Sequence, residues 1–410
     1  MWSIWNMLLK ASFFLVFILG NVGGVMAGQA QLQVSGNGRF LLNNGQPVFY
    51  LGDVAWAMFA KLSTVEIDFY LANRQAKRFN FIQTNALWSL NDGFINRDFN
   101  RPIASWWNKV DYVVNAVEMR GMWLTMSPLW HSIIEFEGLT NAEAEAYGKF
   151  IGKRYKGKPV VWLFGTDTQG NQGNYASIAS SLARGVAKGI SANHENYNTF
   201  IGSYHPYGGT SSSFWFNNAP WLDFNMWQPG HYQMSLYDAT CADYHIGRDY
   251  ALTPTRPAII GEVSFDNIPS QLAAGNPKIT PLDVRIAAYT AVFAGAFGHT
   301  YGANEVYGFW EPGDNDFGYQ IWGADTPWQQ ALDFPGAMQM SHLRALMESR
   351  SFGTHVPDAG LFGTWSYICQ SAARAADRSY AMLYFPGQTK QRTSNAGVLV
   401  DLSKLSGTSV

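Results

Sequence analysis

Cysteine is scarce in this 410-residue chain, which has only Cys241 and Cys369. The two lie far apart, in segments that the pattern below assigns to different units, so a disulfide between them is the less favoured alternative. No CxxC pair occurs, and none of the eight histidines has a His/Glu spacing typical of metal ligands. We therefore expect no metal and no cofactor.

Charge is also scarce. Only 14% of the residues are charged, and the formal net charge is −2. Such a balance gives no electrostatic footprint for nucleic acid or for an anionic membrane. Aromatic residues, in contrast, make up 15% of the chain, with 16 Trp and 20 Tyr. Aromatic side chains fill cores, but Trp and Tyr also present flat faces that suit sugar rings. Composition alone does not separate these two uses.

The first residues, 1–27, have the pattern of a secretory signal. Lys10 is the only charge before the apolar run Ala11–Phe17, and Val25-Met26-Ala27 offers the small residues that a signal peptidase reads. A membrane anchor is the competing interpretation, but glycines interrupt the run and its length is marginal for a bilayer of about 30 Å. We predict a cleaved signal and a secreted or periplasmic protein, with no membrane contact beyond export.

Residues 32–354 alternate strand patterns with helix patterns. Helices are predicted by caps such as Ser63 with Glu66 three residues on, and by apolar periodicity, as in Pro335–Glu348. The predicted core strands are Val48–Val54, Phe81–Leu87, Trp123–Trp130, Val160–Asp167, Thr199–Tyr204, Asp223–Gln228, Pro257–Glu262 and His299–Phe309.

Eight such strand–helix repeats predict an α/β fold, a (β/α)₈ TIM barrel. A doubly wound open sheet is the runner-up. It would normally show a Gly-rich phosphate loop after its first strand, and the segment 52–56 is not one.

The helical pattern disappears after Pro357-Asp358. In the segment 355–410, Tyr380–Phe385 and Val398–Leu402 read as strands that are separated by turn residues. A sandwich usually needs about seven strands. We therefore predict a small, incomplete β-sandwich-like C-terminal domain, which is either truncated or packed onto the barrel.

Two buried strands end in an acid, one at Asp167 and one at Glu262. By the strand count, these acids follow the fourth and seventh strands. The carboxyl ends of barrel strands form the active-site face, so the two acids can converge there. The alternative is that each acid caps the helix that follows it.

A carboxyl pair at such a face is what glycoside hydrolysis needs. The two groups lie about 5–5.5 Å apart in retaining enzymes and roughly 6.5–9.5 Å apart in inverting ones. We predict Asp167 as acid/base and Glu262 as nucleophile of a retaining enzyme.

Further polar and aromatic residues stand in or after the predicted strands. Any one of them could be a helix cap or a core residue, but as a set they are expected to ring the same end of the barrel and to bind sugar hydroxyls and ring faces. The predicted substrate-binding residues are Asp53, Trp56, Gln83, Trp130, His131, His205, Gln228, His231, His299, Tyr301, Asn304 and Trp310.

Several motifs together resemble the apiosidase-like family of glycoside hydrolases, family 140, from about Leu32 to the C-terminus. They are Leu51-Gly52-Asp53-Val54-Ala55-Trp56, Tyr147-Gly148-Lys149-Phe150-Ile151-Gly152-Lys153-Arg154-Tyr155, Ser203-Tyr204-His205-Pro206, Trp221-Leu222-Asp223-Phe224-Asn225-Met226, Gly298-His299-Thr300-Tyr301-Gly302 and the run His342-Leu343-Arg344-Ala345-Leu346-Met347-Glu348-Ser349-Arg350.

The resemblance implies a TIM barrel whose catalytic acids fall on Asp167 and Glu262. It also implies release of apiose from the galacturonic acid backbone of pectic rhamnogalacturonan II. Two departures matter. Gly165-Thr166-Asp167 stands where the family usually has Gly-Gly-Asp, and the C-terminal segment resembles only part of a so-called collagen-binding module, so no collagen binding is inferred.

Other functions stay open at this point. One is a carbohydrate-binding barrel that has lost catalysis, and another is an inverting or lyase-type enzyme that uses the same pocket. Retention of both acids argues against the first of these.

Overall fold

The computed structural model describes residues 32–231, 242–273, 275–314, 322–363, 369–386 and 398–407. Its centre is a nine-stranded sheet. The strands are β4 (Tyr50–Val54), β5 (Phe81–Asn85), β6 (Trp123–Ser127), β7 (Val160–Leu163), β8 (Ile201–Ser203), β9 (Thr210–Ser211), β10 (Asn225–Gln228), β11 (Ala258–Ile260) and β12 (Gly298–Tyr301).

The strand order in this sheet is β8-β7-β6-β5-β4-β12-β11-β10-β9. Every neighbouring pair is parallel except β9 with β10, which is antiparallel. The first predicted strand therefore lies between the second and the last, as the closure of a barrel requires. The eight parallel strands are the eight that the sequence predicted, and the (β/α)₈ barrel is confirmed.

The barrel has a seam between β8 and β10. Within the described residues no ladder pairs these two strands. The amide of Asp223 instead donates to the Gly202 carbonyl at 2.8 Å, and the Ser203 hydroxyl donates to the Phe224 carbonyl at 2.7 Å. The Asp223 carboxylate in turn accepts the amide of Gly202 at 2.8 Å. A few polar contacts thus close the cylinder where the ladder is missing.

Helices follow the strands and cover the outside of the sheet. Four begin with a capping box, Ser63 with Glu66, Ser89 with Asp92, Thr140 with Glu143 and Thr280 with Asp283, which satisfies the first free backbone amides. The longer helices are Thr64–Ala76, Ala104–Met119, Asn141–Arg154, Tyr175–Ile190, Ala242–Tyr250, Pro281–Phe293 and Pro335–Glu348, and the shorter ones are Met58–Lys61, Leu90–Gly93, His131–Glu135, Ser213–Phe216 and Trp328–Ala331.

Aromatic side chains fill the inside of the barrel. The ring of Tyr50 stacks on Phe81 with centroids 3.8 Å apart, and Phe81 stacks on Trp123 at 5.0 Å. The Tyr50 hydroxyl is 2.8 Å from the Thr125 hydroxyl across the interior. Because side chains alternate between the two faces of a strand, the residues next to these in sequence face the helices instead.

The last strand is shorter than predicted. The sequence pattern gave a strand over His299–Phe309, but β12 ends at Tyr301 and the chain then leaves the sheet as a long loop. The apolar residues of that loop mimic strand periodicity because they pack beneath the barrel mouth. The amide of Asn304 donates to the Asp266 carbonyl at 2.9 Å, which ties this loop to the one after β11.

Two small antiparallel sheets flank the barrel. One precedes it, with β1 (Leu32–Val34), β2 (Leu41–Asn43) and β3 (Gln46–Val48), and one follows it, with β13 (His355–Pro357), β14 (Ser371–Ala375) and β15 (Ala381–Tyr384). The predicted strand over Tyr380–Phe385 appears as β15. The one over Val398–Leu402 contributes only an isolated bridge between Phe362 and Val400.

The C-terminal sheet packs onto the barrel, which is one of the two alternatives that the sequence left open. Tyr384 stacks on Tyr289 of the helix Pro281–Phe293 with centroids 4.7 Å apart, and Cys369 packs against Ile286 of the same helix. Cys369 is disulfide-bonded. The other cysteine of the sequence, Cys241, lies outside the described residues, so the predicted absence of a bond between the two is a statement about a residue that the structure does not describe.

The predicted signal, residues 1–27, also lies outside the described residues. Among those that are described, no helix has both the length and the apolar character needed to cross a bilayer.

Candidate active site

A cavity of about 240 Å³ opens at the carboxyl ends of the barrel strands. Asp167 and Glu262 both line it, so the structure brings together two acids that are remote in sequence. The rest of the lining is mostly aromatic and apolar: Trp56, Ala57, Trp88, Trp130, His231, Phe265, Ile268, Leu272, Tyr307, Gly308 and Trp322. An apolar cavity with two converging carboxyls is the usual form of a site for a small organic ring.

Glu262 is held by three hydrogen-bond donors. Gln228 Nε2 donates to Oε1 at 3.0 Å, and Trp56 Nε1 donates to Oε2 at 3.2 Å. His231 Nε2 lies 3.2 Å from Oε1. The amide of Phe265 donates to His231 Nδ1 at 3.4 Å, so the ring proton of the neutral imidazole is on Nε2 and points at the carboxylate. His205 Nε2 approaches Oε2 to 3.5 Å.

These donors decide the charge of Glu262. Burial alone raises the pKa of a carboxyl, but hydrogen bonds and electrostatic interactions with His205 and His231 outweigh it and hold the pKa of Glu262 well below its usual range. Only 7% of the residue is exposed. The group is therefore a buried carboxylate that stays ionised at neutral pH.

Asp167 has the opposite electrostatic setting. Burial raises its pKa, and the negative charge of Glu262 raises it further, while His205 and His131 lower it in part. Two acids in one cavity thus have pKa values that are pushed apart. The proton that the pair can hold therefore favours Asp167 over Glu262, which is the division that general acid catalysis with a nucleophile requires.

The backbone of Asp167 lies in the left-handed region, with φ 53°. This conformation costs a non-glycine residue about 1–3 kcal/mol, so its surroundings must hold it. Both neighbours are anchored: Thr166 Oγ1 donates to the Leu129 carbonyl at 3.0 Å, and the Thr168 hydroxyl is 2.5 Å from the Tyr204 hydroxyl. The threonine that replaces a family glycine at 166 is therefore one of the two anchors.

The other side of Asp167 is bounded by His131. Its Nδ1 donates to the carbonyl of Thr166 at 3.2 Å, and its ring lies 5.2 Å from that of Trp130. Gln83 lies deeper, inside the barrel, where its Nε2 donates to the Gly261 carbonyl at 3.2 Å, directly before Glu262. These predicted residues thus surround the two acids, although His131 and Gln83 do not themselves line the cavity.

Three predicted residues lie on the outer face of the sheet. Asp53 Oδ2 accepts from Arg74 Nε at 2.7 Å and from the Tyr70 hydroxyl at 2.6 Å, and both donors belong to the covering helix. The Tyr301 hydroxyl donates to Asp266 at 3.2 Å. His299 shares the face of Tyr301 by strand alternation and is fully buried. The structure does not bring these three residues to the cavity, because each occupies a position of its strand that faces the helices.

Asn304 and Trp310 belong to the loop after β12 and do not line the cavity. The amide group of Asn304 donates to the Trp322 carbonyl at 3.4 Å, and the backbone of Trp310 is hydrogen-bonded to Glu305 at 2.8 Å and to Trp328 at 3.0 Å. They support the loop that carries Tyr307.

Sequence reasoning missed most of the apolar wall. Trp88 follows β5 by three residues and could have been found by the strand-end rule that found Trp130. Phe265 likewise comes three residues after Glu262. Tyr307 and Trp322 come from a long loop whose path no local pattern gives. Among the described residues there is no cluster of three or more His, Cys, Asp or Glu side chains that could hold a metal ion.

The fold and the site together define a glycoside hydrolase, a barrel enzyme with two carboxyls at the mouth. The chain belongs to the family of apiosidase-like catalytic domains, whose model matches residues 35–354. No match to the chain exists among curated proteins.

Solved structures agree with this assignment. The chain is 31% identical to a glycoside hydrolase, with 92% of this chain and 87% of that one covered and a TM-score of 0.81. It is also 31% identical to a family 5 glycoside hydrolase from Bacteroides vulgatus, with 92% and 84% covered and a TM-score of 0.82. A family 5 mannosidase from Rhizomucor miehei shares the fold at 10% identity and a TM-score of 0.54, with 78% and 98% covered.

Proposed function

We propose that this enzyme is a retaining glycosidase that removes a terminal sugar from a branched plant polysaccharide. The observation that carries the proposal is the convergence of Asp167 and Glu262 on one cavity at the barrel mouth. The shifts of their pKa values, upward at Asp167 and downward at Glu262, suit one acid and one nucleophile, and the places of the two acids after the fourth and seventh strands support retention. In a retaining mechanism one carboxyl must be protonated to assist the leaving oxygen, and the other must be ionised to attack the anomeric carbon. Asp167 takes the first role and Glu262 the second.

In the first step Glu262 attacks the anomeric carbon while Asp167 gives its proton to the glycosidic oxygen, so the sugar becomes an ester of Glu262 and the alcohol leaves. In the second step Asp167 takes a proton from water, which attacks the same carbon and releases the sugar and the Glu262 carboxylate. The hydrogen bonds from Gln228, His231 and Trp56 hold the carboxylate in place for the attack.

The size of the cavity supports a substrate of one sugar ring. Its volume of about 240 Å³ is below the roughly 300–1,000 Å³ of pockets that bury drug-sized ligands. Trp56, Trp88 and Trp130 line it, and their faces suit the C–H face of a sugar. The family resemblance gives the sugar as apiose, attached to the galacturonic acid backbone of rhamnogalacturonan II.

We also propose that the enzyme works outside the cytoplasm, secreted or in the periplasm. The charged residue and apolar run before Ala27 support export. The disulfide of Cys369 supports it independently, since disulfides persist mainly in oxidising compartments.

The test is a digestion of rhamnogalacturonan II oligosaccharides with and without apiosyl branches. The wild-type enzyme should release free apiose only from the branched set, and NMR of the first product should show the same anomer as the substrate. Glu262→Gln should release none. The matched control is Glu305→Gln, which alters a buried carboxyl outside the cavity. Burial raises the pKa of Glu305 to about 7, so at pH 5–6 glutamine replaces a mostly neutral group and activity should persist.

Other results would point elsewhere. An inverted product would replace the retaining mechanism by an inverting one. An unsaturated product that absorbs in the ultraviolet would indicate a lyase. Binding of the oligosaccharide by wild-type protein without any cleavage would indicate a carbohydrate-binding barrel.

A further inference from the structure

The proposed mechanism fixes the orientation of the substrate in the cavity. The sugar whose anomeric carbon reacts lies over Glu262, and the leaving oxygen lies beside Asp167, which protonates it. The rest of the substrate, the part that leaves with that oxygen, must therefore extend past the Asp167 side of the mouth. Residues that are exposed on that side are candidates to bind it.

One loop crosses this side of the mouth. It runs from Pro206 to Thr210, directly after β8 and His205. The amide of Tyr207 donates to the carbonyl of Thr168, the residue after the acid, at 3.0 Å, and Pro206 forms a parallel bridge with Thr168.

At its other end the same loop is fixed to the strand of Gln228. The amide of Gly209 donates to the Gln228 carbonyl at 2.6 Å, and Thr210 pairs with Gln228 in β9 and β10. Since Gln228 holds Glu262, the backbone of this loop connects the neighbours of both acids. Its position relative to the reacting bond is therefore set by main-chain hydrogen bonds at each end.

Tyr207 is the side chain that this loop presents to solvent. His205 and Pro206 are buried, whereas Tyr207 is 49% exposed. A single exposed aromatic residue is ordinary on a protein surface, so exposure alone carries no meaning. The position of Tyr207 is what carries meaning. Tyr207 comes directly after the bridge between Pro206 and Thr168, the residue that follows Asp167, and the loop backbone is fixed at both ends. Tyr combines a flat apolar face with a polar hydroxyl, which matches a sugar ring.

We infer that Tyr207 is a stacking platform for the sugar on the leaving-group side of the bond. It would take a pyranose ring of the backbone, such as galacturonic acid, and determine which acceptor the enzyme accepts. This assignment rests on the proposed function. It adds a specificity-determining residue outside the cavity and gives no chemical step to Tyr207.

The experiment compares two probes that share the reacting sugar. One is an oligogalacturonide that carries an apiosyl branch, whose leaving group is a sugar. The other is apiosyl fluoride, whose leaving group has no ring. Tyr207→Ala should lower kcat/KM on the oligosaccharide by about tenfold more than on the fluoride, mostly through KM. Tyr207→Phe should keep most of the wild-type kcat/KM on the oligosaccharide, because it keeps the flat face.

Phe69→Ala is the matched control. Phe69 has a similar exposure of 51% but lies on the helix Thr64–Ala76, where it packs against Trp328. Phe69→Ala should leave kcat/KM unchanged on both probes. Equal losses on both probes in Tyr207→Ala, or no loss on either, would overturn the inference while the proposed function stands. Wild-type enzyme that cleaves neither probe would overturn the proposed function and this inference with it.

Discussion

Trp56 donates its indole N–H to Glu262 across the barrel mouth at 3.2 Å, although 206 residues separate the two in sequence. Trp56 follows the first barrel strand and Glu262 the seventh, and the last strand, β12, lies between them in the sheet. The contact therefore depends on closure of the parallel sheet at this point. It also joins an aromatic wall of the cavity to the group that reacts, so one side chain both shapes the site and orients the nucleophile.

Asp167→Asn should separate the two halves of the proposed mechanism. The variant cannot donate a proton, so hydrolysis of an apiosyl oligosaccharide should fall by about 10²–10⁴-fold. Apiosyl fluoride, whose leaving group needs no protonation, should lose far less in the first step. The measurement is kcat/KM on both substrates, which reports the first step and is not affected by loss of the base that the second step needs. A uniform loss on the two would indicate that Asp167 acts by positioning or charge alone.

His231→Ala should move the acidic limb of the pH profile. Glu262 must be ionised to react, so kcat/KM falls as pH drops through its pKa, which hydrogen bonds and electrostatic interactions with His205 and His231 hold low. Loss of His231 removes part of that stabilisation, raises the pKa of Glu262 and shifts this limb to higher pH. The basic limb reflects loss of the proton of Asp167 and should move little. An acidic limb that stays in place would exclude His231 as the group that sets it.

Asp53→Asn should destabilise the fold without raising KM. Asp53 and Arg74 form a fully buried ion pair at 2.7 Å between the sheet and its covering helix. Removal of one partner leaves a buried charge unpaired, which costs about 3–5 kcal/mol of the free energy of unfolding. Urea denaturation together with KM measures both effects.

The control for that variant is Asp333→Asn, which breaks the pair of Lys77 with an acid whose side chain is 70% exposed. A pair of this kind is worth about 0–1 kcal/mol. If Asp53→Asn raised KM and left stability unchanged, the predicted contact between Asp53 and substrate would be reinstated.

Cys369→Ser should lower the melting temperature, because removal of a native disulfide typically costs about 2–5 kcal/mol. A reducing agent should lower the melting temperature of the wild type to nearly that of the variant and should not affect the variant. Thermal unfolding with and without dithiothreitol provides the measurement. Equal sensitivity of both proteins to the reductant would show that the disulfide contributes nothing to stability.

The sequence was most informative where a pattern has one structural outcome. Short apolar runs that end in an acid at 167 and 262 predicted buried strands of a barrel and the pair of carboxyls at its mouth. The helix over Pro335–Glu348 was predicted with its observed bounds. These features depend on local periodicity and on strand order, and both can be read along the chain.

The misplaced site residues have a different cause. Asp53, His299 and Tyr301 stand in the right strands, but one position along a strand reverses the face to which a side chain points. A buried strand is apolar on both faces, so its sequence does not show which face is the interior. Trp322 and Tyr307 were missed because loops place them, and the path of a loop depends on tertiary contacts.

The missing ladder between β8 and β10 makes the wall of the cylinder uneven. Seven junctions between neighbouring barrel strands have a ladder of main-chain hydrogen bonds, while this one has the main-chain bond from Asp223 to Gly202 and side-chain contacts of Asp223 and Ser203. Among the barrel strands, amide hydrogen exchange should therefore be fastest on the edges of β8 and β10 that face this seam. The loop of Tyr207 follows β8 and leads into β9, which pairs with β10, so the part of the rim proposed to receive the departing sugar adjoins this seam.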